Sequence, residues 1–250
     1  DLKKINGKNG IVVANIGDGS LGCGPVWEAL NFAAMDQYRT LWEESKRGGM
    51  PILFNIVNNG YGMGGQTRGE TMAYDMLARI GAGISPTQLH AERIDGYNPL
   101  AVIDAMERKL KILRQGDGPV LLDVITYRFV GHSTSDQNAY RTKEEIDAWR
   151  EVDPMLTYRE QLVKAGIARD SRFEEILNET AERMTHVCKW ASDFEISPYV
   201  NFRKDPAVIE KIMFSNGKVE SFGDKEPEVL GPKGSCSRYE QIRKKERAAF

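Results

Sequence analysis

The chain has 250 residues, 41% hydrophobic and 28% charged, with a formal net charge of -2. That is enough for one large core, while the balanced charge leaves no basic footprint for nucleic acid and no apolar run reaches the length of a membrane span. Three scattered cysteines, Cys23, Cys188 and Cys236, argue against a disulfide framework and give no zinc spacing.

In chain order, residues 1–10 read as a surface lead-in, with no hydrophobic signal segment at Asp1-Leu2-Lys3-Lys4, so a cytoplasmic address is expected. The apolar run Ile11 to Ile16 predicts a strand that enters a tight loop, Gly17-Asp18-Gly19-Ser20. Pro25 fits the first turn of a helix, and Trp27, Leu30, Ala34, Tyr38 and Leu41 recur at three and four as a buried stripe. Glu28 lies in the first turn, where a carboxylate is favoured electrostatically, and this outweighs an acid/base role. A second apolar run, Ile52 to Val57, ends on Asn58-Asn59. A strand, loop, helix and parallel strand in succession carry ligands at the carboxyl ends of the strands, where Asp18 and Asn59 both fall. Their hard oxygens, one anionic and one neutral, suit Mg²⁺ or Ca²⁺ and not zinc. The amides from Gly19 through Gly22, including Ser20, lie near a helix start, where a phosphate is favoured. Two oxygens cannot fill six coordination positions, and a diphosphate would supply more. The plain alternative is an ordinary Asp-Gly turn and an ordinary Asn-Asn-Gly strand exit. Cys23 lies near this loop; a small residue packed beside a turn is favoured over a reactive thiol.

Gly60 to Gly69 must be a loop, in which Arg68 is either a contact for a substrate carboxylate or a solvated side chain. Met72 to Ile80 reads as a helix, and Glu92 to Gly96 as a short strand and turn in which Asp95 caps the next helix or its turn. Residues 99–114 form an amphipathic helix with Leu100, Ile103, Met106, Leu110 and Leu113 on one side. Gly116-Asp117-Gly118 repeats the earlier triplet, but Pro119 and the apolar run Val120 to Ile125 come next, so it opens a strand and no helix. That strand delivers Tyr127 to Asp136 to the same edge as Asp18 and Asn59. Arg128 suits bidentate phosphate contact, and His132, in a Gly-His-Ser turn, has no apolar pattern to bury it. Thr142 and Glu145 form a capping box for a helix from Lys143 to Arg150. Further helices are expected at Pro154 to Ala165 and Arg172 to Trp190, the latter with Phe173, Ile176, Leu177, Ala181, Met184 and Val187 on one side. From Phe194 the pattern decays into turns, with a short helix at Pro206 to Met213 and a charged tail at Ser237 to Ala248.

Gly17-Asp18-Gly19, a helix and then Asn58-Asn59 resemble the thiamine diphosphate signature. Asn58-Asn59-Gly60-Tyr61-Gly62-Met63-Gly64 and Tyr127-Arg128-Phe129-Val130-Gly131-His132-Ser133-Thr134-Ser135-Asp136, followed by Tyr140-Arg141-Thr142-Lys143-Glu144-Glu145-Ile146, resemble the alpha subunit of 2-oxo acid dehydrogenase E1 components. The resemblance covers residues 10–165. It departs in a longer segment between the aspartate and the asparagines, expected as a longer helix and a Gly-Gly turn at Gln37 to Gly49. It departs again at Val130, where many members carry a histidine. It implies that Mg²⁺ is held by Asp18, Asn59 and the carbonyl of Tyr61, that Met63 lies near thiamine diphosphate, and that Arg128 and His132 act at the diphosphate on a mobile loop. Ser133 and Ser135 match positions that are phosphorylated in some members; a phosphate there would repel the anionic cofactor.

The fold expected is α/β, a mostly parallel sheet with helices on both faces, of the kind that binds the diphosphate end of thiamine diphosphate. Residues 1–193 would form that domain and 194–250 an irregular extension in contact with another subunit. The implied reaction is decarboxylation of a 2-oxo acid with acyl transfer to a lipoyl group. A beta-type subunit would supply the glutamate that activates the pyrimidine, and a lipoyl acyltransferase would take the acyl unit. The family's usual upstream region has no counterpart here, so the chain is expected to be either a fragment or one product of a split subunit, with a separate chain for that part as a further partner in the second case. His132 is the best local candidate for steadying an intermediate, and the mitochondrial matrix is the alternative address. Two rival readings stand beside it: a transketolase- or acyloin-type thiamine enzyme, which shares the metal–diphosphate signature, and a non-catalytic assembly subunit.

Overall fold

A computed structural model of the chain describes residues 10–209. They form two compact units that divide between Glu160 and Gln161. The first contains a four-stranded sheet: β1 (Val12–Gly17), β2 (Ile52–Asn58), β3 (His90–Asp95) and β4 (Val120–Ile125), in the order β1-β2-β4-β3. Every pairing is parallel. The α/β class and the parallel sheet are therefore as the sequence implies.

Alternation along the strands supplies two cores, one on each face. Phe54 and Ile56 of β2 and Leu121 of β4 point to one side, where they pack with Leu30 and Ala33 of α1 (Gly24–Ala33) and Ile80 of α3 (Arg79–Ile84). Leu53, Ile94, Val120 and Leu122 point to the other, where Ala105 and Leu113 of α4 (Pro99–Gln115) cover them. Helices thus lie on both faces. A fully buried Leu or Phe contributes about 1.5–3 kcal/mol through removal from water, so these two layers fix the register that aligns the strand ends. At the edge, β1 is less covered, with Val12 and Val13 at 41% and 49% exposure.

Several expectations are corrected. The stripe from Trp27 to Leu41 does not lie on one helix. α1 ends at Ala33, α2 (Gln37–Thr40) adds one turn, and a 3-10 turn occupies Glu44–Lys46. The long segment is therefore a series of short turns and not an extended helix, although Leu30, Ala34 and Tyr38 are buried as expected. The Gly-Gly turn is real: Gly49 donates to the Gly116 carbonyl, and a Cβ at Gly49 would stand 1.9 Å from Gly118 Cα. The helix expected from Met72 begins only at Arg79. Its first residues are drawn elsewhere, because Met72 N–H and Ala78 N–H donate to the Thr67 carbonyl and to Asp123 Oδ2, and the Asp75 carbonyl accepts from Arg93. In α4, Leu100 and Ile103 are 56% and 52% exposed, whereas the expected Leu113 is buried, with Met106 and Leu110 half-buried against the core, and Ala105 and Lys109 join the buried side.

Asn98 caps α4 by accepting from the amides of Leu100 and Ala101, and Asp95 accepts from Tyr97 N–H in the preceding turn. Gly116 ends α4 in the left-handed region, φ 73°, and Gly116-Asp117-Gly118 leads into β4, as expected. Thr142 caps α5 (Lys143–Glu151) through Glu145 N–H. The first unit closes within α6 (Pro154–Lys164). The second unit contains α7 (Asp170–Ser192), a helix with no buried residue, on which Ile176, Leu177, Met184 and Val187 are all more than 40% exposed. The charged tail Ser237 to Ala248 and most of the short helix at Pro206 to Met213 lie outside the described residues.

Candidate functional site

Three of the four parallel strands, β1, β2 and β4, bring chemistry to their carboxyl ends, and the register sets those ends side by side. Gly17 pairs with Val57, and Asn58 with Ile125. Asp18, the residue after β1, is 2% exposed at the head of a 3-10 turn, Asp18–Gly22. Its Oδ2 accepts from Thr67 Oγ1 at 2.5 Å and from Gly60 N–H at 3.1 Å, so the β2 exit loop is anchored on it. Burial pushes the Asp18 carboxyl above its usual range, while the bonds from Thr67 and the backbone pull against that shift. Among the described residues, no cationic side chain is one of the groups that set its acidity.

At the end of β2, Asn59 Oδ1 accepts from Tyr61 N–H at 3.0 Å. Gly60 takes φ 77°, which favours glycine, and lets the loop reverse. A Cβ at Gly19 would lie 3.5 Å from both Gly62 Cα and Thr67 Cγ2, so the two glycine loops are in van der Waals reach of each other. At the end of β4, Arg128 donates to the His132 carbonyl at 2.9 Å, and His132 N–H donates to Asp136 Oδ2 at 2.7 Å. The Tyr140 hydroxyl also donates to Asp136, at 2.7 Å, and these bonds, Tyr140's above all, lower the Asp136 carboxyl to about 2.

Asn59, Tyr61, Arg128 and His132 line one narrow cleft together with Gly62, Tyr140 and Arg141. Asp18 sits one residue from it, through Gly60. Three further predicted residues do not line the cleft: Gly19, whose loop packs against that of Gly62 and Thr67, Ser20, which is exposed, and Met63, which is 81% exposed. Ser133 and Ser135 are exposed with their hydroxyls 3.1 Å apart. Arg68 is paired with Asp75 at 2.5 Å beside a second cleft of about 240 Å³, and Glu28 and Cys23 are exposed.

Sequence reasoning missed four groups. Thr67 holds Asp18 and gave no signal among the glycines of its loop. Asp123, fully buried in β4, accepts from Asn58 Nδ2 at 2.8 Å, Ala78 N–H at 3.2 Å and Arg93 Nε at 2.7 Å; a charge interrupting the run Val120 to Ile125 was the available sign. Arg141 is 9% exposed and donates to the carbonyls of Arg128 and Val130. Its guanidinium carbon lies 5.1 Å from the Tyr61 ring centre, 5.4 Å from that of Tyr127 and 5.5 Å from that of Tyr140. Glu145 reads in the sequence as half of a capping box, but its carboxylate turns to the hydroxyls of Tyr61 and Tyr127. Burial, and then the Glu145 bond and charge, push the Tyr61 hydroxyl up to about 12.

The donor set can be tested against a metal. The described residues contain no group of three or more His, Cys, Asp or Glu that could hold an ion. Any cation here would rest on one carboxylate and neutral oxygens, which suits a hard divalent ion whose remaining positions are filled by phosphate. Asp18, buried and without a cation, fits that role, and Arg128 at the rim fits the phosphate.

The layers, the parallel order and the polar strand exits define an α/β protein whose polar residues gather at the carboxyl edge of a parallel sheet. A model of the dehydrogenase E1 component family matches residues 2–198, and the chain belongs to that family. It is similar to the pyruvate dehydrogenase E1 component subunit alpha of Rickettsia bellii, 32% identical over 201 residues, which cover 80% of this chain and 55% of the relative. The protein of the same description from Zymomonas mobilis is 34% identical over 76% of this chain and 48% of its own length. The somatic mitochondrial form from Bos taurus is 31% identical over 76% of this chain and 44% of its own. The chain spans about half the length of the curated relatives it matches. No helix among the described residues is long and apolar enough to cross a membrane.

Proposed function

We propose that this chain is the diphosphate- and magnesium-binding part of an E1 alpha-type subunit, acting in thiamine diphosphate-dependent decarboxylation of a 2-oxo acid with acyl transfer to a lipoyl group. The observation that carries this is the buried Asp18 side chain, held by Thr67 and Gly60 one residue from a cleft that Asn59, Tyr61, Arg128 and His132 share. When bound, the cofactor supplies the electron sink for breaking the bond between the carboxylate and the carbonyl carbon.

The chain's residues bind and orient. Asp18, Asn59 and the Tyr61 carbonyl hold Mg²⁺. Arg128 meets diphosphate oxygens with a charge-assisted bond, and Asp136 and Tyr140 keep the loop bearing His132 in place. His132, exposed in the same cleft, is the candidate of this chain for steadying an intermediate or contacting lipoyl. The general base for cofactor activation is assigned to a beta-type subunit, as membership of the E1 family supports. Family membership and the relatives' names support the E1 alpha reading.

The test is to combine the purified chain with a beta-type subunit, thiamine diphosphate and Mg²⁺, and to follow 2-oxo acid decarboxylation with an artificial electron acceptor. Turnover is expected only in the presence of the partner. Robust turnover by this chain alone would contradict the shared-site reading.

A further inference from the structure

On the metal assignment proposed above, two of the three protein donor atoms depend on Tyr61. One is its own carbonyl oxygen. The other is Asn59 Oδ1, which the Tyr61 amide orients from 3.0 Å. Whatever fixes Tyr61 therefore fixes most of the metal's protein ligands.

The Tyr61 ring is held at its tip. Its hydroxyl lies 2.7 and 2.9 Å from the two carboxylate oxygens of Glu145. Glu145 Oε1 also accepts from the Tyr127 hydroxyl at 3.0 Å. Tyr127 immediately precedes Arg128, so one carboxylate joins the loop leaving β2 to the loop leaving β4. Arg141 lies between the faces of the same two rings and is occupied by backbone carbonyls, which gives the cluster a fixed positive charge beside the negative one. On the far side, Tyr127 stacks on Trp149 of α5, with centroids 5.0 Å apart and planes 7° from parallel. The cap of α5 is made by Thr142 accepting from Glu145 N–H, so it needs the Glu145 backbone and not its carboxylate.

We infer that Glu145 is a positioning residue for the metal site: through the Tyr61 and Tyr127 hydroxyls it fixes the Tyr61 carbonyl and the Asn59 amide oxygen relative to Arg128. It touches neither metal nor substrate. A group that holds a ligand-bearing residue typically changes metal affinity by about 10–100-fold when removed.

The experiment compares Glu145→Ala and Glu145→Gln with the wild-type chain, each assembled with its beta-type partner. The first readout needs no metal: amide hydrogen exchange at Tyr61 and Gly62. E145A should speed exchange there by at least about 10-fold, the loss of one or more charge-assisted hydrogen bonds. E145Q, which retains an oxygen acceptor, should restore most of the protection. The second readout is Mg²⁺ affinity by calorimetry with thiamine diphosphate present, expected to fall about 10–100-fold in E145A. Wild-type exchange at Tyr61 in E145A would overturn the inference, as would a uniform rise across the whole domain, which marks general destabilisation. A local exchange response in a protein whose cofactor binding ignores Mg²⁺ would uphold the clamp and remove the metal assignment instead.

Discussion

Replacing Asp18 separates its structural role from its proposed ligand role, provided the replacement is chosen from the geometry. Both bonds to its side chain, from Thr67 at 2.5 Å and Gly60 at 3.1 Å, end on Oδ2. Asp18→Ala removes both and leaves a hydroxyl and an amide without their acceptor. Hydrogen bonds to a charged group are worth about 1.5–3 kcal/mol each, so alanine costs about 3–6 kcal/mol. Against a typical total of about 5–15 kcal/mol, that loss alone could abolish binding by unfolding the site. Asp18→Asn keeps one oxygen to accept both bonds and places an amide nitrogen where the second carboxylate oxygen was. The fold should hold, and the anionic ligand is gone.

Burial raises the Asp18 pKa above 3.8, so the folded chain binds that proton more tightly than the unfolded one. The stability this contributes is complete below the unfolded value and is lost as pH rises through the folded value. At neutral pH without metal, D18N should therefore melt at or above the wild-type temperature. Added Mg²⁺ should stabilise the wild type in the presence of thiamine diphosphate and leave D18N unchanged. Loss of an inner ligand should exceed the effect of an outer one, so calorimetry should show Mg²⁺-dependent cofactor affinity down by at least about 100-fold, about 2.7 kcal/mol. A folded D18N that binds cofactor and Mg²⁺ with wild-type affinity would refute this reasoning.

Arg128→Ala should lose affinity for thiamine diphosphate far more than for thiamine, because the lost contact is to phosphate; equal losses in calorimetry would place Arg128 elsewhere. Asp123→Ala leaves Asn58, Ala78 and Arg93 without an acceptor, and chemical denaturation should show a loss of about 3 kcal/mol or more; a change below about 1 kcal/mol would show that Asp123 does not join β2, β3 and α3. Gly49→Ala should destabilise the chain, since its Cβ would overlap Gly118 Cα at 1.9 Å; an unchanged melting temperature would show that the turn can shift freely.

The strands were legible because their apolar runs are short and bounded by glycine, proline or asparagine. β1, β2 and β4 agree with the sequence to within one residue. That Asn59, Tyr61, Arg128 and His132 would come together was legible for a related reason: parallel strands end on one edge, and the polar residues at those ends stand out. What sequence could not give was where backbone groups find partners outside their own segment. The residues from Met72 to Ala78 have a helical look, but Thr67, Asp123 and Arg93 take their polar groups. Leu100 and Ile103 have helical spacing, yet the first turn of α4 leaves them largely exposed, while Lys109 is buried by pairing with Glu92 at 3.0 Å. The spacing of Thr142 and Glu145 predicted a reciprocal cap, and only the threonine's half forms, because two tyrosines three-dimensionally adjacent to α5 claim the carboxylate.

The most direct measurement is a crystal structure of the chain with its beta-type partner, grown with thiamine diphosphate and Mn²⁺ in place of Mg²⁺, and with the ion located by its anomalous scattering. The account predicts one ion bound by the Asp18 carboxylate, the Asn59 amide oxygen, the Tyr61 carbonyl and diphosphate oxygens, with Arg128 on the diphosphate. An ion or diphosphate bound away from the ends of β1 and β2 would contradict it.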